Sequence, residues 1–114
     1  MALRIRPAQL DDAPTLAALA GQLGYPTTPE EMTARLQALA GDDHHVVFVT
    51  VEADGQVVGW VHVYLCPLLI AGPEAEIGGL VVDQAHRSRG IGARLVREAG
   101  EWARVRDCAG LTVR

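Results

Sequence analysis

One short segment restricts the possible folds of this 114-residue chain more than any other. An apolar run at residues 77–82 leads into a turn rich in arginine and glycine, and an amphipathic stretch follows as far as Cys108. This pattern predicts a strand, a turn and a helix whose first backbone N–H groups have no intrahelical acceptors. Such a helix end attracts phosphate, because free donors and the helix dipole both favour an anion. Gly90 and Gly92 would let a phosphate approach the backbone closely, so we predict a pyrophosphate site at this junction.

The N-terminal part of the chain predicts one strand and two helices. Residues 2–6 alternate in the manner of a short strand. Asp11 or Asp12 is expected to cap the first helix. The second helix is expected to begin at a capping box formed by Thr28 and Glu31.

The central part of the chain predicts three further strands, and the first two form a hairpin. Two β-branched runs, 46–52 and 56–65, are joined by an Asp-Gly pair, which is a strong hairpin signal. Residues 74–82 predict the next strand, and a Gly-Gly pair inside it indicates a bulge or a close approach of another backbone.

The C-terminal part predicts a crossover helix and the start of a last strand at residues 111–114. The helix is expected to bury the stripe Ile91, Leu95, Ala99, Trp102 and Val105. The complete order is β-α-α-β-β-β-α-β. Because the hairpin is antiparallel and the crossover helix joins parallel neighbours, we predict a mixed α/β (α+β) sheet with helices on both faces. We expect one domain over residues 1–114.

Charge and composition exclude several classes of protein. The net charge of −4 argues against nucleic-acid binding, yet six of the ten arginines lie between residues 87 and 106, which suits a small polyanion. The chain has no lysine, so a P-loop is excluded. His44 and His45 are interpreted as a surface pair and no metal is expected. No signal-peptide core or membrane-spanning run is present, so we expect a soluble cytoplasmic protein.

The turn carries a family signature. The segment Arg87-Ser88-Arg89-Gly90-Ile91-Gly92 matches every fixed position of [Q/R]-x-x-G-x-[G/A]. With the order of elements, the whole chain resembles the GNAT superfamily of acyl-CoA-dependent N-acetyltransferases, in which this signature follows the fourth strand. The opening residues and the Leu23-Gly24-Tyr25-Pro26 loop look like the aminoglycoside-acetyltransferase-like subset.

The resemblance implies acetyl-CoA as cosubstrate and a set of residues that bind it. Its diphosphate would lie on the backbone N–H groups of the helix start, which are those of Arg89, Gly90, Ile91, Gly92 and Ala93. Arg87 and Ser88 belong to the same binding segment, and Arg94 could add a charge-assisted contact. The pantetheine arm would run along Leu80, Val81 and Val82 like an added strand, pairing with the main chain of Val82.

The resemblance also implies two catalytic groups. The backbone N–H of Leu80 would polarise the thioester carbonyl. Glu76, eleven residues before Arg87, would accept a proton from the amine through water. Strand alternation puts Glu76 and Leu80 on one face unless the bulge shifts them. A solvated carboxylate at the strand edge remains an equal interpretation of Glu76.

The candidate acceptor residues are Tyr25, His62, Tyr64 and Glu74. Ordinary packing is the competing interpretation of His62 and Tyr64, and a surface charge that of Glu74. Glu74, Glu76 and the Asp42–Asp43 loop favour a cationic amine as the small-molecule acceptor.

GNAT proteins usually continue with a further helix and two strands beyond the point where this sequence stops. That part normally carries the tyrosine that protonates the departing thiolate, and no residue here can be assigned to that role. The sequence is therefore expected to be either part of a longer protein or a natural short form. Because the last strand would be an uncovered edge, we expect a homodimer. The expected function is acetyl transfer from acetyl-CoA to a primary amine; the alternative is a non-catalytic acyl-CoA-binding module with a regulatory role.

Overall fold

The computed structural model describes residues 3–113 and contains one five-stranded sheet with the strands in chain order, β1-β2-β3-β4-β5. The strands are β1 (Arg4–Pro7), β2 (His45–Val51), β3 (Val57–Cys66), β4 (Glu74–Val82) and β5 (Leu111–Val113). The helices are α1 (Ala13–Gln22), α2 (Pro29–Leu39) and α3 (Ile91–Val105). The predicted order of elements is confirmed; Ala2 and Arg114, at the ends of two predicted strands, lie outside the described residues.

Strand pairing follows the predicted mixed pattern. β1 to β4 pair antiparallel in succession, and β5 pairs parallel with β4 after the α3 crossover. The hairpin between β2 and β3 turns at Gly55, whose φ of +88° is in the left-handed region that glycine adopts without strain.

Helices cover both faces of the sheet, as predicted. α3 packs on one face, where its apolar stripe meets Val61, Val63 and Ile77 in one buried cluster. α1 lies on the other face, where Leu16 and Leu19 pack against Val49 and Val81. We call these the α3 face and the α1 face. No helix within residues 3–113 combines the length and apolarity that a membrane span needs.

Two details of the predicted helices are wrong. Val105, the last residue of α3, is 66% exposed, and Ala103 is buried in its place. Asp12 precedes α1 but its side chain makes no capping bond to it. Asp12 is buried and binds the Arg6 guanidinium with both oxygens, at 2.8 and 3.0 Å, because a buried carboxylate requires a charged partner.

The capping box of α2 is present as predicted. The Glu31 backbone N–H donates to Thr28 Oγ1 at 3.0 Å, and the Thr28 N–H donates to Glu31 Oε1 at 2.8 Å. These bonds, led by the backbone bond from Thr28, hold the pKa of the Glu31 carboxyl below its usual value.

The predicted bulge in β4 lies at Gly78. His62 pairs with Gly79 and the next residue, Val63, pairs with Ile77, so Gly78 is an extra residue in β4. The extra residue reverses the alternation. Ile77 and, after the bulge, Leu80 both pack on the α3 face. The Glu76 side chain bonds to Tyr64, so it projects from the face opposite to that of Leu80. The bulge has therefore shifted the two residues off the shared face that simple alternation predicts.

Candidate active site

The start of α3 has backbone N–H groups that lack a protein acceptor in the described part of the chain. Gly90 occupies the N-cap position with a φ of +76° and gives no side-chain cap, and the first turn contains no acidic residue. Within residues 3–113, the N–H groups of Gly90, Ile91, Gly92 and Ala93 donate to no protein acceptor. An anion at this helix end would therefore meet free donors and no competing carboxylate in the first turn.

The two glycines of the signature leave space at this point. A Cβ atom at Gly90 would meet nothing within 4 Å, and one at Gly92 would lie 3.8 Å from Val82 Cγ2. The helix start is thus open at Gly90 and close to the end of β4 at Gly92, as a bound diphosphate with a strand-like arm would require.

The three arginines near the turn have different surroundings. The Arg87 Nε donates to the Val82 carbonyl at 3.3 Å. Arg89 Nη1 lies 2.8 Å from Glu52 Oε1 in an ion pair. Arg94 Nη2 donates to the Leu3 carbonyl at 3.3 Å. Arg87 thus shares the end of β4 with the predicted arm, and the Val82 carbonyl oxygen keeps a second lone pair that could accept a bond from the arm.

A polar network holds the turn in place. His86 Nδ1 lies 2.6 Å from Asp83 Oδ2, and His86 Nε2 lies 3.6 Å from Glu52 Oε2. Gln22, at the end of α1, donates to Asp83 Oδ1 at 2.9 Å and accepts from the Gln84 N–H at 2.8 Å. The bonds from Gln22 and then His86 hold the pKa of Asp83 below its usual value. No sequence signal predicted this network, because it joins residues far apart in the chain.

The predicted arm would lie along the edge of β4 beyond the bulge. β5 pairs with β4 only at Ala75, Glu76 and Ile77. In the described part of the chain, no strand pairs with residues 78–82 on that edge. Leu80 and Val82 pack toward α3, and Val81 packs on the α1 face.

Glu76 lies on the α1 face among polar neighbours. Its Oε2 accepts from the Tyr64 hydroxyl at 2.5 Å and from Cys66 Sγ at 3.4 Å. Burial and the Glu76 carboxylate raise the pKa of the Cys66 thiol, which keeps the sulfur protonated at neutral pH. Glu74 begins β4 opposite Cys66 and is half-buried.

A cavity of about 790 Å³ opens on the same face, between α1, α2 and the sheet. The predicted residues Tyr25 and His62 both line it, as does Gly78 of the bulge. Much of the rest is apolar, and Arg35 is a charged residue in the lining. The other apolar or aromatic lining residues include Leu16, Met32, Leu36, Leu39, Val47 and Trp60.

His62 lies within hydrogen-bond distance of His45. His45 Nδ1 lies 3.0 Å from His62 Nε2, and the rings stack with centroids 5.2 Å apart. Burial and, second, the neighbouring His45 lower the pKa of His62. The interpretation of His44 and His45 as a surface pair is wrong for His45, whose side chain is 27% exposed. The hairpin register, which pairs His45 with Tyr64, could have predicted this contact. Residues 3–113 contain no group of three or more metal-ligating side chains.

Comparison with known proteins decides the family. The model of the acetyltransferase (GNAT) family matches residues 11–114. The chain belongs to the GNAT acetyltransferase family. The predicted enzyme class, an acetyl-CoA-dependent N-acetyltransferase, is confirmed by this membership and by a curated relative from Oryza sativa subsp. japonica, glucosamine 6-phosphate N-acetyltransferase 1. That relative is 38% identical over an alignment of 114 residues, which covers 94% of this chain and 69% of the relative.

Solved GNAT structures share the fold of this acetyltransferase. Glucosamine-6-phosphate N-acetyltransferase from Arabidopsis thaliana matches with a TM-score of 0.89 and 23% identity, over 100% of this chain and 82% of that one. An aminoglycoside antibiotic 6'-N-acetyltransferase from Acinetobacter baumannii matches with a TM-score of 0.87 and 18% identity, over 99% and 79%. At these identities the similarity is one of fold.

Proposed function

We propose that this GNAT protein transfers the acetyl group of acetyl-CoA to the primary amine of a small acceptor, by direct attack in a ternary complex. The observation that carries the proposal is the start of α3, where the N–H groups of Gly90 to Ala93 have no protein acceptor within residues 3–113 and no acidic residue occupies the first turn.

The residues present fit the cosubstrate. The N–H groups of residues 89–93 would hold its diphosphate, with Arg87 and Ser88 at the edge of the site. The edge of Leu80, Val81 and Val82 would hold the pantetheine arm, beside the bond from Arg87 to the Val82 carbonyl. The bound coenzyme supplies an acetyl group activated as a thioester.

The backbone N–H of Leu80 would stabilise the negative charge that develops on the thioester oxygen. A backbone donor fits this role because the strand holds it rigidly, and removal of one such donor costs roughly 10²–10³ in kcat in other enzymes. Glu76, on the α1 face, is one candidate acceptor of the amine proton, through water.

The cavity on the α1 face would hold the acceptor. Tyr25 and His62 line it, and Tyr64 and Glu76 follow along the same face of the sheet. Glu74, Glu76 and the Asp42–Asp43 pair favour a cationic amine by charge.

A second candidate acceptor is an amine that carries an anionic group. Arg35 lies in the cavity lining and could pair with such a group. The rice relative also acts on a phosphorylated amino sugar by its name. The two candidates differ in the sign of the charge that the cavity selects.

The test measures thiol release from acetyl-CoA over a panel of matched amines, including polyamines, aminoglycosides and amino-sugar phosphates. We expect turnover with at least one amine; a fall in kcat in Glu76→Gln with coenzyme affinity unchanged would assign the proton to Glu76. Arg35→Gln distinguishes the two acceptors, because it should raise KM only for an amine that carries an anionic group. Coenzyme binding without turnover on any amine would instead support a regulatory acyl-CoA-binding module.

A further inference from the structure

Two histidines connect the cavity with solvent through one short contact. His62, in β3, lines the cavity beside Gly78, where a Cβ atom would lie 3.1 Å from His62 Nδ1. The other ring nitrogen of His62, Nε2, lies 3.0 Å from Nδ1 of His45. His45 Nε2 in turn lies 3.9 Å from Asp42 Oδ2, and the Asp42 side chain is 46% exposed.

The surroundings of this pair contain few other ionisable groups. From β3, Tyr64 packs against both histidine rings. From β4, Glu76 bonds to Tyr64 on the same face, and from α2, Arg35 lines the same cavity. With Asp42 in the loop before β2, these groups set the charge around the pair.

We propose that His62 accepts the proton of the attacking amine and that His45 conducts it to solvent. The inference rests on the proposed acetyl transfer, and it gives the pair a role beyond lining the cavity. His62 is then a catalytic residue, and His45 is a positioning residue that acts through it.

The proton balance defines the tautomers. Before transfer, neutral His62 carries its proton on Nε2 and donates it to Nδ1 of neutral His45, which leaves Nδ1 of His62 as the acceptor. When the amine nitrogen bonds to the acetyl carbon, the C–S bond of the thioester breaks, CoA leaves as its thiolate with the bonding electron pair, and the amine proton passes to His62 Nδ1. His62 gives its Nε2 proton to His45 Nδ1, and His45 releases its Nε2 proton toward Asp42 and water. No redox step and no further reactant is needed.

The hydrogen bonds of the site favour His62 over Glu76 for this step. Glu76 Oε2 already accepts bonds from the Tyr64 hydroxyl and the Cys66 thiol, so both lone pairs of that oxygen are engaged. Burial and His45 lower the pKa of His62, so the imidazole is neutral and able to accept a proton at pH 7.

The experiment compares His62→Gln with His44→Gln, the same change at the exposed neighbour of His45. We expect kcat to fall about 10²–10⁴-fold in His62→Gln and to stay unchanged in His44→Gln, with equal coenzyme affinity in both. The ratio of wild-type to His62→Gln kcat/KM is then measured against pH, because the ionisation of the amine cancels in it. The ratio should rise with pH to a plateau, with a midpoint below about 6.5.

His45→Gln tests the second half of the pair. Loss of the neighbouring imidazole removes one cause of the lowered pKa of His62, so the midpoint should move to higher pH. A merely structural role of His45 would leave the midpoint in place. A flat pH ratio, or full activity in His62→Gln, would overturn the proposal.

A measurement without turnover separates this inference from the proposed function. Titration of the histidine ring protons by NMR should give His62 a midpoint below about 6.5 in the wild type and a higher one in His45→Gln. If the wild type transferred acetyl to no amine, the proposed function would fall. If the two rings titrated independently, the proposed coupling of His62 with His45 would be contradicted, whether or not the protein turned over acetyl-CoA.

Discussion

At the scale of single residues, Gly78 determines which face of the sheet the side chains of β4 project from. Because it adds one residue to β4, the Leu80 side chain packs toward α3 while the Glu76 side chain projects toward the cavity face. The glycine pair made the bulge predictable. The location of the side chains on each face was not, because it depends on which glycine is the extra residue. The contact of His45 with His62 was missed for a related reason, since it depends on the register between two strands.

A buried hydroxyl gives a prediction at this scale. Thr50 is fully buried, and its Oγ1 has no hydrogen-bond partner within the described residues. Since an unpaired buried hydroxyl costs roughly 1–3 kcal/mol, Thr50→Val should raise the free energy of unfolding by about 1 kcal/mol. Thr50→Ser, which keeps the hydroxyl and loses the methyl group, should lower it. Urea unfolding measures both, and a destabilised Thr50→Val would show that the hydroxyl is bonded in solution.

At the scale of elements, local signals predicted most boundaries and long-range contacts changed the rest. The Thr28 capping box and the turn at Gly55 are encoded by neighbouring residues and were predicted. Asp12 was expected to cap α1, but its partner is Arg6, across the connection from β1. A sequence motif could not separate these two uses of one aspartate, because both satisfy its charge.

The pairing of Arg6 with Asp12 should make stability depend on pH. Burial opposes ionisation of Asp12, yet bonds from Arg6 and the Gln9 N–H leave its pKa below the usual value. The folded pKa is therefore lower than the unfolded one, about 3.9. The stabilisation is present above that pH and disappears as the pH falls through the folded pKa.

The test is the free energy of unfolding of the wild type and Asp12→Asn at pH 7 and pH 3. We expect Asp12→Asn to be less stable by about 2 kcal/mol at pH 7, and the difference to shrink at pH 3. Asp11→Asn, at the exposed neighbour, is the control and should show a small difference at both. An equal difference for Asp12→Asn at both values would contradict the charge-based account.

At the scale of the whole molecule, the predicted coenzyme segment and the cavity lie in different parts of the structure. The predicted coenzyme segment lies at the end of β4 and the start of α3, and the cavity lies on the α1 face. The order of elements and the signature predicted the first part, because a helix start needs only local sequence. The cavity is built by α1, α2 and β3 together, so its shape followed only from the packed structure.

Self-association is the prediction at this scale. β5 is an edge strand in the described residues, and Leu69 and Ile70, in the loop before β4, are almost fully exposed. We expect light scattering to give about twice the chain mass of 12.2 kDa. A monomeric mass would contradict the prediction. Loss of the dimer in the Leu69→Ser/Ile70→Ser variant would show that the dimer contact is formed by the loop and not by the β5 edge.

The central claim is that backbone N–H groups at the start of α3 hold the coenzyme diphosphate, and calorimetric CoA binding tests it directly. The pair to compare is Gly90→Glu and Gly41→Glu, since both glycines have open space and similar φ, +76° and +79°. We predict that Gly41→Glu binds CoA like the wild type and that Gly90→Glu binds at least about tenfold more weakly, or about 1.4 kcal/mol. Wild-type affinity in folded Gly90→Glu, or no CoA binding by the wild type, would contradict the account.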